Sequence, residues 1–415
     1  MPLSPSVTTT ASAARPDPPP RTVLAARTAV ALVFGLNGLA VASWFARIPA
    51  AREALGLSAG RLGLLLLALS GGAVLAMLTA GGVVHRVGSR RTTTGATALV
   101  AAGLVLLGVG VDAWPSVPVV ALGLVALGFG SGLCDVAMNV EAALVERRLR
   151  RTVMPRFHAA WSLGTVTGAA LGAGSATLGI PVLAHLGIVA VGVLLGTLLA
   201  ANHYLSGRGE TTTERQPAAE SGASHGSGTL RAWREPRTLL VGLLVLVMAF
   251  TEGTANDWIA VAFIDGHGFG EAAGAAVFGV FVAAMTVGRM VGTVALDRWG
   301  RLPVLVGTIG LAVAGVTVTV LVPSGWVALA GVVLWGLGAS LGFPVGMSAA
   351  ADDEDRAPAR VSVVSAIGYT AFLAGPPLVG LLGDRVGTLR ALLVVPLLLV
   401  PALALVPATR PPAGR

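Results

Sequence analysis

The chain has 415 residues, a formal net charge of +8, 54% hydrophobic residues and 12% charged residues, with a mean hydropathy of +0.82. Soluble domains carry about 25% charged residues, so this composition excludes a purely soluble fold, and apolar runs long enough to cross a bilayer recur along the chain. All 28 basic residues are arginine and Cys134 is the single cysteine, which excludes a lysine-dependent phosphate-binding P-loop, an intrachain disulfide and a cysteine-rich metal cluster.

Residues 1–22, rich in Ser, Thr, Pro and Ala, read as a disordered cytoplasmic tail. No cleavable signal is expected, because the first apolar run is too long for an h-region. Twelve spans follow, near 23–46, 60–84, 92–112, 117–140, 156–179, 181–203, 238–262, 271–296, 302–322, 325–350, 359–383 and 387–407. Short breaks such as "DAWPSVP" and Gly179 to Pro181 signal helical hairpins. The expected fold is all-α and integral to the membrane, with twelve transmembrane helices in two pseudo-symmetric six-helix bundles. These are an N-terminal bundle at 23–203 and a C-terminal bundle at 238–407. A flexible cytoplasmic linker at 204–237 separates them, and a cytoplasmic tail at 408–415 ends the chain.

With the N-terminus inside, 22 arginines fall on the cytoplasmic side. Five, Arg47, Arg52, Arg61, Arg385 and Arg390, fall outside, and Arg289 lies within a span. This asymmetry follows the positive-inside rule. The basic residues therefore orient the chain in a bilayer, and nucleic-acid binding is not expected. The expected location is the plasma (inner) membrane, multi-pass, with both termini cytoplasmic.

The halves repeat weakly. "ASW" at 42–44 parallels "NDW" at 256–258, "HRVGSRR" at 85–91 parallels "DRWGR" at 297–301, and "LGFGSGL" at 127–133 parallels "WGLGASL" at 335–341. Parallel six-helix halves are a transporter architecture. The loops "GGVVHRVGSRR" (81–91) and "TVALDRWGR" (293–301) resemble the signature loops of the major facilitator superfamily. That resemblance implies a cytoplasmic clamp from Arg86, Gly88, Asp297, Arg298 and Gly300, with His85 and Ser89 departing from the pattern. Arg289 either snorkels toward the cytoplasm or joins that clamp.

"GSGLCDVAMNVEA" (130–142), "FHAAWSLG" (157–164) and "TEGTANDW" (251–258) are similar to the fucose/hexose:proton symporter branch of that family. The branch carries an acid in the first span before Ile-Pro, where this chain reads "VASWFARIP" with Phe45 in the slot. The resemblance implies a sugar substrate and symport with protons.

Ionised side chains in hydrocarbon cost at least about 2.5–3.5 kcal/mol, so intramembrane polar groups face a cavity or a partner. Three pairs spaced by four share a helix face: Asp135 and Asn139, His158 and Ser162, Glu252 and Asn256. Asn37 and Trp44 are seven apart on the first span, and Trp161 and Trp258 flank the other polar positions. Proton coupling is assigned to Asp135, Glu252 and His158, in that order. Substrate binding is assigned to Asn37, Trp44, Asn139, Trp161, Ser162, Asn256 and Trp258, whose amides and rings suit a polyhydroxylated ligand. Structural alternatives stay open. Asp135 could pair with Arg289, His158 could be a packed neutral histidine, Asn37 could satisfy a neighbouring helix, each tryptophan could be an interface anchor, and Asp257, turned away from Glu252, could be solvated.

The expected function is secondary active transport of a small polar solute, with a sugar and protons as the implied cargo. The alternative is proton-driven efflux of drugs or other amphiphilic molecules. A carrier-like receptor without net flux is a third reading. "GASHG" (222–226) and "GASLG" (338–342) match a hydrolase motif but lack its strand–turn–helix setting, so no enzyme is expected. Nor is any cofactor or metal expected. The partners are a small-molecule substrate, protons and the lipid bilayer, and the chain is expected to be a monomer.

Overall fold

A computed structural model describes residues 21–150, 153–205, 231–353 and 356–410. Residues 1–20 of the expected N-terminal tail, 206–230 of the linker and 411–415 of the C-terminal tail lie outside this set.

Among the described residues, twelve long helical segments follow one another. In the first half they are α1 (Arg21–Phe45), α2 (Ala59–Val87), α3 (Ser89–Gly108), α4 (Val117–Leu149), α5 (Met154–Thr177) and α6 (Val182–Ala201). In the second half they are α7 (Pro236–His267), α8 (Glu271–Trp299), α9 (Arg301–Leu321), α10 (Gly325–Ala339, resuming at Gly342–Ala350), α11 (Ala357–Val386) and α12 (Thr388–Ala391, continued by Val394–Ala402 and Leu403–Thr409). A short helix, Ile48–Ala54, follows α1. Eleven of the twelve are long and apolar enough to cross a bilayer by composition; α5 is the exception. It carries Arg156, His158, Ser162, Thr165 and Thr167, and it packs against α1 in its own half and α8 in the other.

Several helices run past the expected spans. The 33 residues of α4 reach about 50 Å, beyond a hydrocarbon core of about 30 Å. Its polar end has a structural use. The Glu146 carboxylate accepts hydrogen bonds from the backbone N–H groups of Val153 and Met154, each at 2.7 Å. Those donors head α5, where no intrahelical partner exists. Gly88 and Gly300 turn the chain sharply between α2 and α3 and between α8 and α9, with φ of 86° and 76°. Side chains rarely tolerate that conformation.

The halves meet along two seams, α2 against α11 and α5 against α8. Close approach within a half follows from small residues. A Cβ on Gly164 or Gly168 of α5 would run into the carbonyl oxygens of Gly35 and Leu39 on α1, so glycine lets these backbones touch.

On the face that carries the chain termini, arginines tie the second half together. Asp352 accepts from Arg301 at 2.8 Å and from Arg237 at 2.7 Å. Glu235, ahead of α7, accepts from Arg360 of α11 at 2.7 Å. Burial works to raise the Glu235 carboxyl, but hydrogen bonds from Arg360 and Thr238 and the charges of Arg360 and Arg356 hold it below the usual carboxylate range.

Candidate functional site

Two polar centres sit near the middle of the bundle, one from each half. In the first, Asn139 donates its amide to Asp135, to the backbone oxygen at 2.8 Å and to Oδ1 at 3.2 Å. The four-residue spacing on α4 makes this contact local. Tyr369 on α11, in the opposite half, lies within electrostatic reach of the Asp135 carboxylate. Sequence reasoning passed over Tyr369, one of only two tyrosines in the chain.

In the second centre, Glu252 on α7 pairs with Arg289 on α8. The Arg289 Nη2 donates to Oε1 at 3.1 Å and to Oε2 at 3.0 Å. Arg289 therefore belongs to the interior, and its expected place in a clamp with Asp297 is corrected. Its alternative pairing with Asp135 is not formed either. The cause is electrostatic, since an arginine that deep gains more from a nearby carboxylate than from reaching outward.

The Arg289 Nε also donates to the Ser340 carbonyl at 3.4 Å. That oxygen lacks its usual helical donor because Pro344, four residues on, has no N–H. The sequence thus breaks α10 at Ser340 and Leu341, and the freed carbonyl becomes an acceptor for the site. His158 on α5 is exposed, meets Phe34 edge-on with centroids 5.3 Å apart, and feels the Arg289 charge. It is therefore not a packed core histidine.

The remaining expected residues divide. Asn139, Trp161 and Asn256 are half-buried. Ser162 is buried, and its carbonyl accepts from Thr165 at 2.8 Å. Asn37 is buried and donates to the Ser131 carbonyl at 3.4 Å, linking α1 to α4. Trp44 and Trp258 are corrected: they are 1% and 0% exposed and belong to the hydrophobic core. Trp258 packs against Gly380 of α11. The i, i+6 relation to Glu252 rotated it off the polar face, which spacing alone could have indicated. Asp257 is half-buried and, among the described residues, makes no hydrogen bond or ion pair.

Among the described residues, hydrogen bonds and ion pairs tie the two halves on the face opposite the termini. Arg52 Nη1 pairs with Asp265 Oδ2 at 2.5 Å, and Thr388 donates to the same oxygen at 2.7 Å. Ser58 donates to Asp384 at 3.1 Å. Arg47, 3% exposed, donates to the Ile180 carbonyl at 2.8 Å and lies 3.4 Å from Glu271. A cavity of about 700 Å³ opens between Arg52, Ser58, Asp265, Asp384 and Thr388 and is also lined by His267 and Arg390. On the termini face Arg86, Asp297 and Arg298 are exposed and, among the described residues, form no ion pair across the halves. Arg298 stacks over its neighbour Trp299 at 5.9 Å.

The exposed pairs act as a latch holding one face shut. Exposed pairs are worth roughly 0.2–1 kcal/mol each. The double substitution Asp265→Asn, Asp384→Asn should therefore shift the population toward opening on that face by about twofold to thirtyfold. Electron–electron resonance distances between labels on Arg61→Cys and Arg390→Cys would read the shift. An unchanged distance distribution would mean the pairs form without holding the halves together.

A family model described as Major Facilitator Superfamily matches residues 30–357. An uncharacterized MFS-type transporter of Yersinia pestis is 32% identical over 357 residues, covering 85% of this chain and 88% of that protein. Among solved structures, the nucleoside transporter NupG superposes with a TM-score of 0.72 at 14% identity, covering 94% of this chain and 99% of that one. A variant of the E. coli fucose:proton symporter FucP gives 0.62 at 17% identity, with 94% and 100% coverage. A nucleoside transporter superposes at least as well as a sugar symporter, so the likeness carries the fold and not a sugar branch.

Proposed function

The chain belongs to the Major Facilitator Superfamily, a family of membrane transporters of small molecules, and from that premise we propose that it carries a small polar solute together with protons by alternating access. The observation that carries this reading is the pair of midplane acids, one in each half. Asp135 is bonded to Asn139 with Tyr369 of the other half within electrostatic reach, and Glu252 is held by Arg289 near His158. A carboxylate inside a bilayer is retained where it binds a proton, an ion or a solute. Two such centres on opposite halves suit a solute bound between elements that move relative to each other. In this reading Asp135 carries the coupling proton, and Asn139, Trp161 and Asn256 contact the solute, for which a sugar is the first candidate.

The arginine distribution supports a plasma-membrane protein with both termini cytoplasmic. On that orientation the latched face is external, and the structure corresponds to a conformer closed to the outside. Gly88 and Gly300 form the turns of the cytoplasmic clamp, and its charged members Arg86, Asp297 and Arg298 engage only when that face closes.

The test uses proteoliposomes that enclose a pH-sensitive dye, challenged singly with hexoses, deoxyhexoses and polyols. A sugar that acidifies the lumen establishes symport and the substrate class. Silence across the panel, with folded and oriented protein, overturns the sugar reading. A dye response to amphiphilic cations instead would move the assignment to proton-driven efflux.

A further inference from the structure

A second cavity, of about 620 Å³, opens on the face that carries the termini, away from the central path. Gly88, Arg90, Arg91 and Thr94 line one wall, at the start of α3, and Leu198 and Asn202 line the other, at the end of α6. The Arg90 Nη2 donates to the Asn202 side-chain oxygen at 2.6 Å, which fixes one guanidinium at the rim. Arg91 is exposed and, among the described residues, has no hydrogen-bond or ion-pair partner for its side chain. No carboxylate lines the cavity.

Exposed apolar side chains adjoin the cavity along both helices. On α3, Gly95, Leu99 and Val105 are exposed in a stripe that starts one turn from Arg91. On α6, Leu198, Leu195 and Val191 form a matching stripe, 42%, 55% and 58% exposed. The two helices pack together, so the stripes flank one groove running from the cavity toward the bilayer centre. At Gly95 a side chain would meet no atom within 4 Å, which leaves the groove open just beyond the arginines.

We propose that this cavity binds the phosphate of an anionic phospholipid, whose acyl chains lie in the groove between α3 and α6. Guanidinium groups match phosphate oxygens in charge and geometry. Basic pockets between helices at the membrane surface suit acidic headgroups. A zwitterionic choline lipid would bring a second positive charge against Arg90 and Arg91. The apolar groove favours a lipid over free phosphate, which has nothing to place there. This site is independent of the transported solute.

Native mass spectrometry of the delipidated full chain, titrated with phosphatidylglycerol, tests it. One phosphatidylglycerol per chain should be retained in preference to phosphatidylcholine. Arg91→Ala should weaken retention about fivefold, the factor for one arginine near a charged membrane surface, and Arg91→Lys should restore most of it. Arg234→Ala, an exposed arginine elsewhere on this face, should change nothing. Equal retention of phosphatidylcholine, or equal loss on Arg234→Ala, would overturn a built site. Displacement by inorganic phosphate would reassign it to a soluble anion and overturn the lipid.

Discussion

Replacing Arg289 by alanine is expected to stop transport and to destabilise the folded protein, and a second substitution should recover the stability without the transport. Arg289 and Glu252 have side chains 32% and 20% exposed, so their pair is neither a surface ion pair nor a dry one. Breaking a fully buried pair costs about 3–5 kcal/mol, because one charge is stranded. Partial access of water reduces that to about 1–3 kcal/mol here. Arg289→Ala strands the Glu252 carboxylate and also leaves the Ser340 carbonyl without the donor that compensates for Pro344. Adding Glu252→Gln removes the stranded charge, so the double variant should be more stable than Arg289→Ala alone. A thermal-unfolding cycle in detergent reads the coupling. Additive losses would mean that the pair is incidental. Transport should be absent in both variants, because the double variant restores charge balance but not a charged partner for the solute or proton.

Asp135→Asn should reduce proton-driven accumulation to the level of protein-free liposomes while leaving exchange of labelled substrate across the membrane intact. The substitution is nearly isosteric, and the new amide can turn its oxygen toward Asn139, so the 3.2 Å contact within α4 survives. What disappears is the group that can take up and release a proton. Counterflow needs only binding and the change of access, whereas uphill accumulation needs the proton as well. Accumulation equal to wild type would remove Asp135 from coupling and leave Glu252 and His158 as carriers. Loss of both activities would instead assign Asp135 to solute binding.

The latch illustrates why partners escaped a reading of the chain alone. Arg52 and Asp265 are separated by 213 residues, and Ser58 and Asp384 by 326. Sequence placed each of these residues in or beside a loop on one face, yet no periodicity links a loop in one half to a loop in the other. Arg289 is similar. Its depth in α8 was legible, and its partner was not, since Asp135 and the Asp297 clamp were the expected pairings and Glu252 was not among them. The tryptophans failed for a different reason. Trp44 and Trp258 lie near polar stripes in sequence, but helix rotation turned them into the core.

What the sequence determined is the membrane-spanning class and the division into two six-helix halves. Its apolar runs set eleven of the twelve segments, because a bilayer leaves the backbone no option but to satisfy itself within helices. Local spacing also determined the Asp135–Asn139 contact, because four residues of helix bring the two side chains to one face. Only the tertiary structure decided that Glu252 holds Arg289, that Tyr369 comes within electrostatic reach of Asp135, and that, among the described residues, the polar ties between the halves lie at one face. Those outcomes depend on how helices rotate and cross, which small residues at Gly164 and Gly168 and the break at Pro344 permit but do not encode as a pattern. Long-range charge pairing is settled last, once packing has fixed which carboxylate each guanidinium can reach.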